Sequence, residues 1–226
     1  FLWVYWPSFV GGFLEVDSPE QQHALVNTIL ALLSSTVMAF VGSSWFNPTR
    51  GSSKFRPVDI QNATLAGGVA VGALADLRMN PGLVLLLGAF CGLLSSFGYC
   101  YIQPYLFEKF KLHDTCGINN LHGMPSIAGA VVSIFVAGIA TKRAVDGSYN
   151  FKAGDDQAIA QFLGLAVTLA YALLSGLITG YILKAYDIPE GVEPKKFHDA
   201  VWWELGAEEE TCIIVAGGNK SEDYKA

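Results

Sequence analysis

Apolar positions in this chain form long unbroken runs separated by short polar connectors, unlike the alternating or one-sided patterns of a soluble domain. Six stretches, 1–14, 21–49, 60–75, 79–107, 115–141 and 157–183, contain no charged residue. A helix that crosses a bilayer needs about 20 mostly apolar residues, and four of the runs exceed that. The run at 60–75 is shorter, bracketed by Asp59 and Asp76, and spans if its polar ends are counted. The run at 1–14 opens inside an apolar segment, with no initiator Met and no basic leader such as a signal peptide carries. It is read as the truncated first helix of a fragment whose upstream part is missing. The pattern predicts an all-α, polytopic transmembrane bundle. A membrane domain of about six helices covers 1–184, and a polar tail covers 185–226.

Within the runs, polar and small residues are placed with helical spacing. In the fifth run Thr115, Asn119, His122, Ser126, Gly129 and Ser133 recur three or four residues apart, which puts them on one helix face. Ile118, Leu121, Ile127 and Val131 are expected to lie away from it. Asp114 stands where a helix N-cap belongs, its carboxylate free to accept from first-turn amides. A continuous helix from Asp114 would carry His122 about 12 Å along the axis, close to mid-membrane. An ionisable residue at that depth is a functional candidate, although a histidine hydrogen-bonded between helices would fit the same pattern. Pro125 removes a helix donor and predicts a kink beside the histidine. In the first run Leu2, Trp6, Phe9 and Phe13 share a face bent by Pro7. In the third, Asp59, Asn62, Ala66, Val69, Ala73 and Asp76 form a stripe interrupted by Gly67-Gly68, the kind of break found at transporter sites. Gly68/Gly72, Gly88/Gly92 and Gly176/Gly180 are Gly-x-x-x-Gly pairs, which allow helix backbones to approach closely.

Composition sharpens the class. Only 15% of residues are charged, against about a quarter in soluble domains, and all of them lie outside the six runs. That excludes a soluble enzyme and a nucleic-acid binder. If successive runs alternate direction, Arg50, Lys54, Arg56, Lys109, Lys111, Lys184, Lys195 and Lys196 fall on one side, and only Arg78, Lys142, Arg143 and Lys152 on the other. The positive-inside bias then places the C-terminal tail in the cytoplasm. The four cysteines have neither zinc spacing nor the look of a disulfide framework. No phosphate loop, nucleophile elbow, metal-binding His pair or carboxylate cluster is present, so no cofactor, metal site or enzymatic activity is expected.

Three segments together resemble a known family: Phe-Leu-Trp-Val-Tyr-Trp-Pro-Ser-Phe at the start, Ile-Gln-Asn-Ala-Thr-Leu-Ala-Gly-Gly-Val-Ala-Val-Gly from Ile60, and Asp-Thr-Cys-Gly-Ile-Asn-Asn-Leu-His-Gly-Met-Pro from Asp114. The family is the ammonium transporter/Rhesus glycoprotein family, in its Rhesus branch. Phe197 to Leu205 resembles the tail motif of that branch, with an extra His and Trp.

The resemblance implies a plasma-membrane channel passing ammonia or ammonium, built from two inverted five-helix repeats and assembled as a homotrimer in the lipid bilayer. This chain would hold the second repeat and the long helix after it, with the first repeat on the absent N-terminal half. By resemblance, His122 is one of the pore's paired histidines and Phe9 one of two stacked gating phenylalanines. Trp6 is an aromatic wall residue, and Leu2 and Ile118 are apolar pore positions. Asn119 falls on the polar stripe beside them. Asp114 and Asn62 are structural residues near the path. Two departures stand out: Val10 where Asn usually follows the phenylalanine, and Ser126 where Gly is frequent. A non-conducting structural or sensing subunit with the same fold is the alternative, and retention of His122 speaks against it.

Overall fold

The computed structural model describes residues 1–47, 54–139 and 155–185. The connectors at 48–53 and 140–154, and the expected tail beyond Ala185 with its Phe197 motif, lie outside the described residues. The described elements are α1 (Leu2–Gly11), α2 (Pro19–Trp45), α3 (Pro57–Asn62), α4 (Ala66–Val71), α5 (Pro81–Phe97), α6 (Gln103–Phe110), α7 (Met124–Ile139) and α8 (Asp155–Lys184). Two wide, π-type turns join them: Gly98–Ile102 between α5 and α6, and Asn119–Gly123 leading into α7. Contacts divide the chain into Phe1–Ala170 and Tyr171–Ala226.

The helix starts follow local sequence. Pro19, Pro57 and Pro81 each open a helix, where a missing N–H is harmless and the fixed φ is already helical. Ser18 accepts from the Gln21 amide at 3.1 Å, and Asn80 Oδ1 accepts from that of Gly82 at 2.8 Å. α6 stops at Lys111, which turns left-handed with φ 55°. Its amide donates to Phe107 O at 2.9 Å, and that of Leu112 to Leu106 O at 3.4 Å, closing the helix as a C-terminal motif does.

Among the described residues, four helices are long and apolar enough to cross a membrane: Pro19–Trp45, Pro81–Phe110, Asn119–Ile139 and Asp156–Lys184. These are the four long uncharged runs. The other two differ from the six-helix expectation. α1 has ten residues, and the third run is two six-residue helices separated by a turn at Ala63, Thr64 and Leu65.

The break is held open by α2. Ser35 Oγ donates to Ala63 O at 2.7 Å and accepts from the Gly67 amide at 3.0 Å. These are backbone groups that a continuous helix would have paired internally. Asn27 serves the far end of α4 in the same way, donating to the carbonyls of Ala75 and Leu77 at 2.9 Å each. Both residues are buried. In an apolar medium every backbone polar group needs a partner, so two polar side chains of α2 satisfy the irregular backbone beside it. The predicted stripe from Asp59 to Asp76 therefore does not exist as one face.

α2 is the spine against which α1, α4 and α5 pack. A Cβ on Gly67 or Gly88 would strike Ala31 O, and one on Gly92 would strike the Ser35 backbone. Gly88/Gly92 thus behaves as a close-approach pair. Gly68 meets Leu32 and Trp6, whereas Gly72 meets only its own helix. Nothing described lies within 4 Å of a Cβ at Gly176 or Gly180. Leu32, Leu65, Ala70, Leu74, Leu87 and Leu121 form the main core.

Candidate functional site

The entry to α7 is assembled around Asp114. Its two carboxylate oxygens accept from the amides of Ile118 at 2.8 Å and Asn119 at 2.9 Å, the capping role its position suggested. The four residues before Ile118 are a turn rather than a helix, made possible by Gly117 at φ 67°. A Cβ there would also enter the ring of Tyr99, whose hydroxyl donates to Gly117 O at 3.2 Å. His122 consequently sits four residues into the helix from Ile118, about 6 Å by helical rise, instead of 12 Å from Asp114.

The helix widens over Asn119–Gly123, where the Met124 amide reaches back five residues to Asn119 O. Pro125 follows directly and has no donor of its own, so the register change falls where the ladder is already interrupted. Gly98 of the other wide turn abuts Asn120 and Met124. Asn120 is fully buried and donates to Gln103 Oε1 at 2.8 Å. Gln103 in turn donates to the Asp114 carbonyl. The two wide turns and the cap are one connected polar structure beneath the histidine.

This arrangement divides the predicted stripe. Ile118, 58% exposed, shares an open face with His122 and Ser126, and Asn119 is half-buried at its edge. Gly129 and Ser133 turn inward, Gly129 so closely that a Cβ would strike Ala70 O of α4. The spacing argument had put Ile118 off the face and Gly129 on it. The wide turn shifts the register around Ile118 and Asn119, whereas Gly129 lies beyond it in regular helix and is buried because α4 packs on it.

On α1, Leu2 is 65% and Phe9 66% exposed, while Trp6 is half-buried against the core. A Cβ on Gly68 would lie 2.9 Å from the Trp6 indole nitrogen. Trp6, Phe9 and Phe13 make a ladder of rings with centroid spacings of 6.1 and 6.2 Å. Trp3 anchors the helix by donating to Thr36 Oγ1 at 3.0 Å. α4 therefore touches both α1, through Gly68, and α7, through Ala70. Leu121, beside the histidine, and Trp6 join the same core cluster. Leu2, Phe9, Ile118 and His122 face away from that core.

Asn62 donates to Val58 O at 2.9 Å, within its own short helix. Ser35, Asn27 and the Gln103–Asn120 pair were not singled out from sequence. Their only signal is a polar residue inside an uncharged run. Asp59 was noted, but not its setting. It is fully buried 3.9 Å from Arg56 Nε, and Arg56 also donates to Cys100 Sγ, tying α3 to the first wide turn. Among the described residues no cluster suited to a metal ion is present.

The chain is 40% identical over 220 residues to ammonium transporter Rh type B of Danio rerio, covering 93% of this chain and 47% of that protein. It is 37% identical over 239 residues to Rh type B of Xenopus tropicalis, covering 100% and 50%. To Rh type C of Rattus norvegicus it is 37% identical over 225 residues, covering 95% and 44%. The chain thus spans about half the length of the curated relatives it matches. Nitrosomonas europaea Rh50, solved in work on conduction by the Rhesus family of channels, superposes with a TM-score of 0.73 at 30% identity, over 98% of this chain and 52% of that one. A solved structure described as a sensor Amt protein shares the fold, with a TM-score of 0.61 at 23% identity over 88% of this chain and 46% of its own. The model of the Ammonium Transporter Family matches residues 1–188, and the chain belongs to that family.

Proposed function

We propose that this chain supplies one wall of a narrow path through which ammonia crosses the membrane. The observation that carries the reading is the open face of α7, where His122 stands between apolar Ile118 and Ser126 and turns away from the chain's own core. Leu2 and Phe9 on α1 extend the apolar lining. Asn119 adds a polar edge, and Trp6 backs the wall.

The chemistry follows from what such a surface can and cannot offer. Leu, Ile and Phe side chains cannot replace the hydration of an ammonium ion, and burying an uncompensated charge is very unfavourable. Neutral ammonia loses far less on entering. A neutral imidazole has one donor and one acceptor nitrogen, so His122 gives ammonia a hydrogen-bonding station where the surrounding wall has none. Asp114 is engaged with two amides and acts by holding the start of α7 rather than by meeting substrate. Asn62 is likewise structural.

The facing wall, with a second histidine and phenylalanine, is assigned to the other half of the length seen in the relatives. The complete protein is assigned to a homotrimer in the plasma membrane, with its C-terminal tail in the cytoplasm. The test is occlusion. Ile118→Trp adds bulk on the open face without an internal clash, so assembly should persist while ammonia or methylammonium uptake falls severalfold. Undiminished uptake in a well-assembled Ile118→Trp protein would show that this face does not line the path, and an assembled unaltered protein with no uptake above protein-free vesicles would assign the chain to the non-conducting, structural or sensing class instead.

A further inference from the structure

The span from Pro81 to Phe110 has 30 residues, about 45 Å at 1.5 Å per residue, whereas the hydrocarbon core is about 30 Å thick. With Asn80 capping one end, roughly the last ten residues, from Tyr101 onward, pass beyond the hydrocarbon into the headgroup layer. The sequence changes character there: the uncharged run ends at Phe107 and is followed by Glu108, Lys109, Phe110 and Lys111.

No residue of α6 is buried. Tyr105 and Leu112 are exposed, and Phe110 is 62% exposed. Lys109 Nζ lies 5.3 Å from the Tyr105 ring centroid and 5.6 Å from that of Phe110, and it donates to the Tyr105 hydroxyl at 2.9 Å. Lys111 Nζ lies 5.7 Å from the Phe107 ring centroid. Among the described residues neither ammonium is paired with a carboxylate. The nearby Asp114 carboxylate is engaged by the Ile118 and Asn119 amides. Aromatic faces attract cations but leave their remaining N–H donors free, so the two lysines are steadied without being neutralised.

We propose that Lys109 and Lys111, resting on the rings of Tyr105, Phe107 and Phe110, bind the phosphate of an anionic phospholipid in the leaflet where α6 ends. The rings supply the amphipathic surface that suits the headgroup level, and the two positive charges select an acidic headgroup over a zwitterionic one. A basic residue near an anionic membrane surface strengthens association roughly fivefold, so two together give roughly thirtyfold.

The experiment titrates the detergent-purified, assembled protein with phosphatidylserine and, separately, phosphatidylcholine, reading bound lipid by native mass spectrometry. The wild-type protein retains phosphatidylserine in preference to phosphatidylcholine. Lys109→Gln and Lys111→Gln each weaken retention roughly fivefold and the double variant roughly thirtyfold, while Lys→Arg at both positions preserves it. Arg78→Gln, at the opposite end of the same span, leaves retention unchanged. Both lysines are exposed, and an unaltered melting temperature verifies that the variants fold. Undiminished phosphatidylserine binding in the double Gln variant, equal binding of phosphatidylcholine, or an equal loss in Arg78→Gln would overturn the proposal. So would displacement of the lipid by millimolar inorganic phosphate, which would indicate a simple anion site.

Discussion

Replacing Ser35 by alanine removes one hydroxyl that serves two backbone groups, the Ala63 carbonyl at 2.7 Å and the Gly67 amide at 3.0 Å. Both lie at the break between α3 and α4, in a part of the bundle where Ser35, Ala63 and Gly67 are all buried. A buried group stripped of its partner costs about 1–3 kcal/mol in water-soluble proteins. Hydrogen bonds between helices in membranes average about 0.6 kcal/mol with a maximum near 1.7. Two lost bonds therefore amount to about 1–3 kcal/mol. At about 2–4 °C per kcal/mol for a chain of this size, the thermal midpoint should fall by several degrees. Ser34→Ala is the internal control. Ser34 Oγ donates only to Ala31 O, one turn back on its own helix, at 3.1 Å, so its loss should be small. The assay is thermal unfolding of the detergent-purified variants, run beside methylammonium uptake. α4 contacts both α1 and α7, so loosening the break should lower uptake as well as stability. An unchanged midpoint in Ser35→Ala, or a larger loss in Ser34→Ala, would refute the assignment of Ser35 as the clasp of the broken helix.

Further outcomes follow from the same contacts. Gly67→Ala drives a methyl into Ala31 O and should abolish assembly. Gly72→Ala, on an exposed position that meets only its own helix, should assemble normally, as gel filtration of the pair will show. Asp114→Ala removes the cap on Ile118 and Asn119 and should destabilise the start of α7 by about 0.5–2 kcal/mol, seen as faster amide exchange at these residues and a lowered melting midpoint. Asn27→Ala leaves the Ala75 carbonyl unpaired and the Leu77 carbonyl with only the Met79 amide at 2.8 Å, and its midpoint should fall about as far as that of Ser35→Ala. Residues 1–226 reconstituted alone should give no ammonia flux above protein-free vesicles, because the face bearing His122 is open on this chain.

The four long helices were legible because lack of charge over 27 or more residues has one physical meaning in a chain of this kind. Asp114 was legible as a cap because capping is local: donor and acceptor lie four and five residues apart. The break in the third run was half legible. Gly67-Gly68 signalled it, but its place at Ala63–Leu65 depends on Ser35, 28 residues from Ala63. The face leading into α7 was misjudged for two reasons: the wide turn at Asn119–Gly123 interrupts the 3.6-residue turn that spacing assumes around Ile118, and nothing in the spacing shows that α4, about 60 residues earlier, covers Gly129. Arg56 and Cys100, 44 positions apart, show the same limit. Polar side chains buried in a membrane bundle are matched to backbone elsewhere in the fold, and nothing in their own neighbourhood names the partner.

The central claim is that His122 is a substrate station and not a packed side chain. Its most direct test is His122→Ala in the assembled protein, with trimer yield in detergent and ammonia or methylammonium uptake measured on the same preparation. Alanine is a good helix former and the ring makes no part of the core, so trimer yield should match wild type while uptake falls sharply or loses selectivity. Normal uptake in a well-assembled variant, or trimer yield lost in parallel with uptake, would contradict the account.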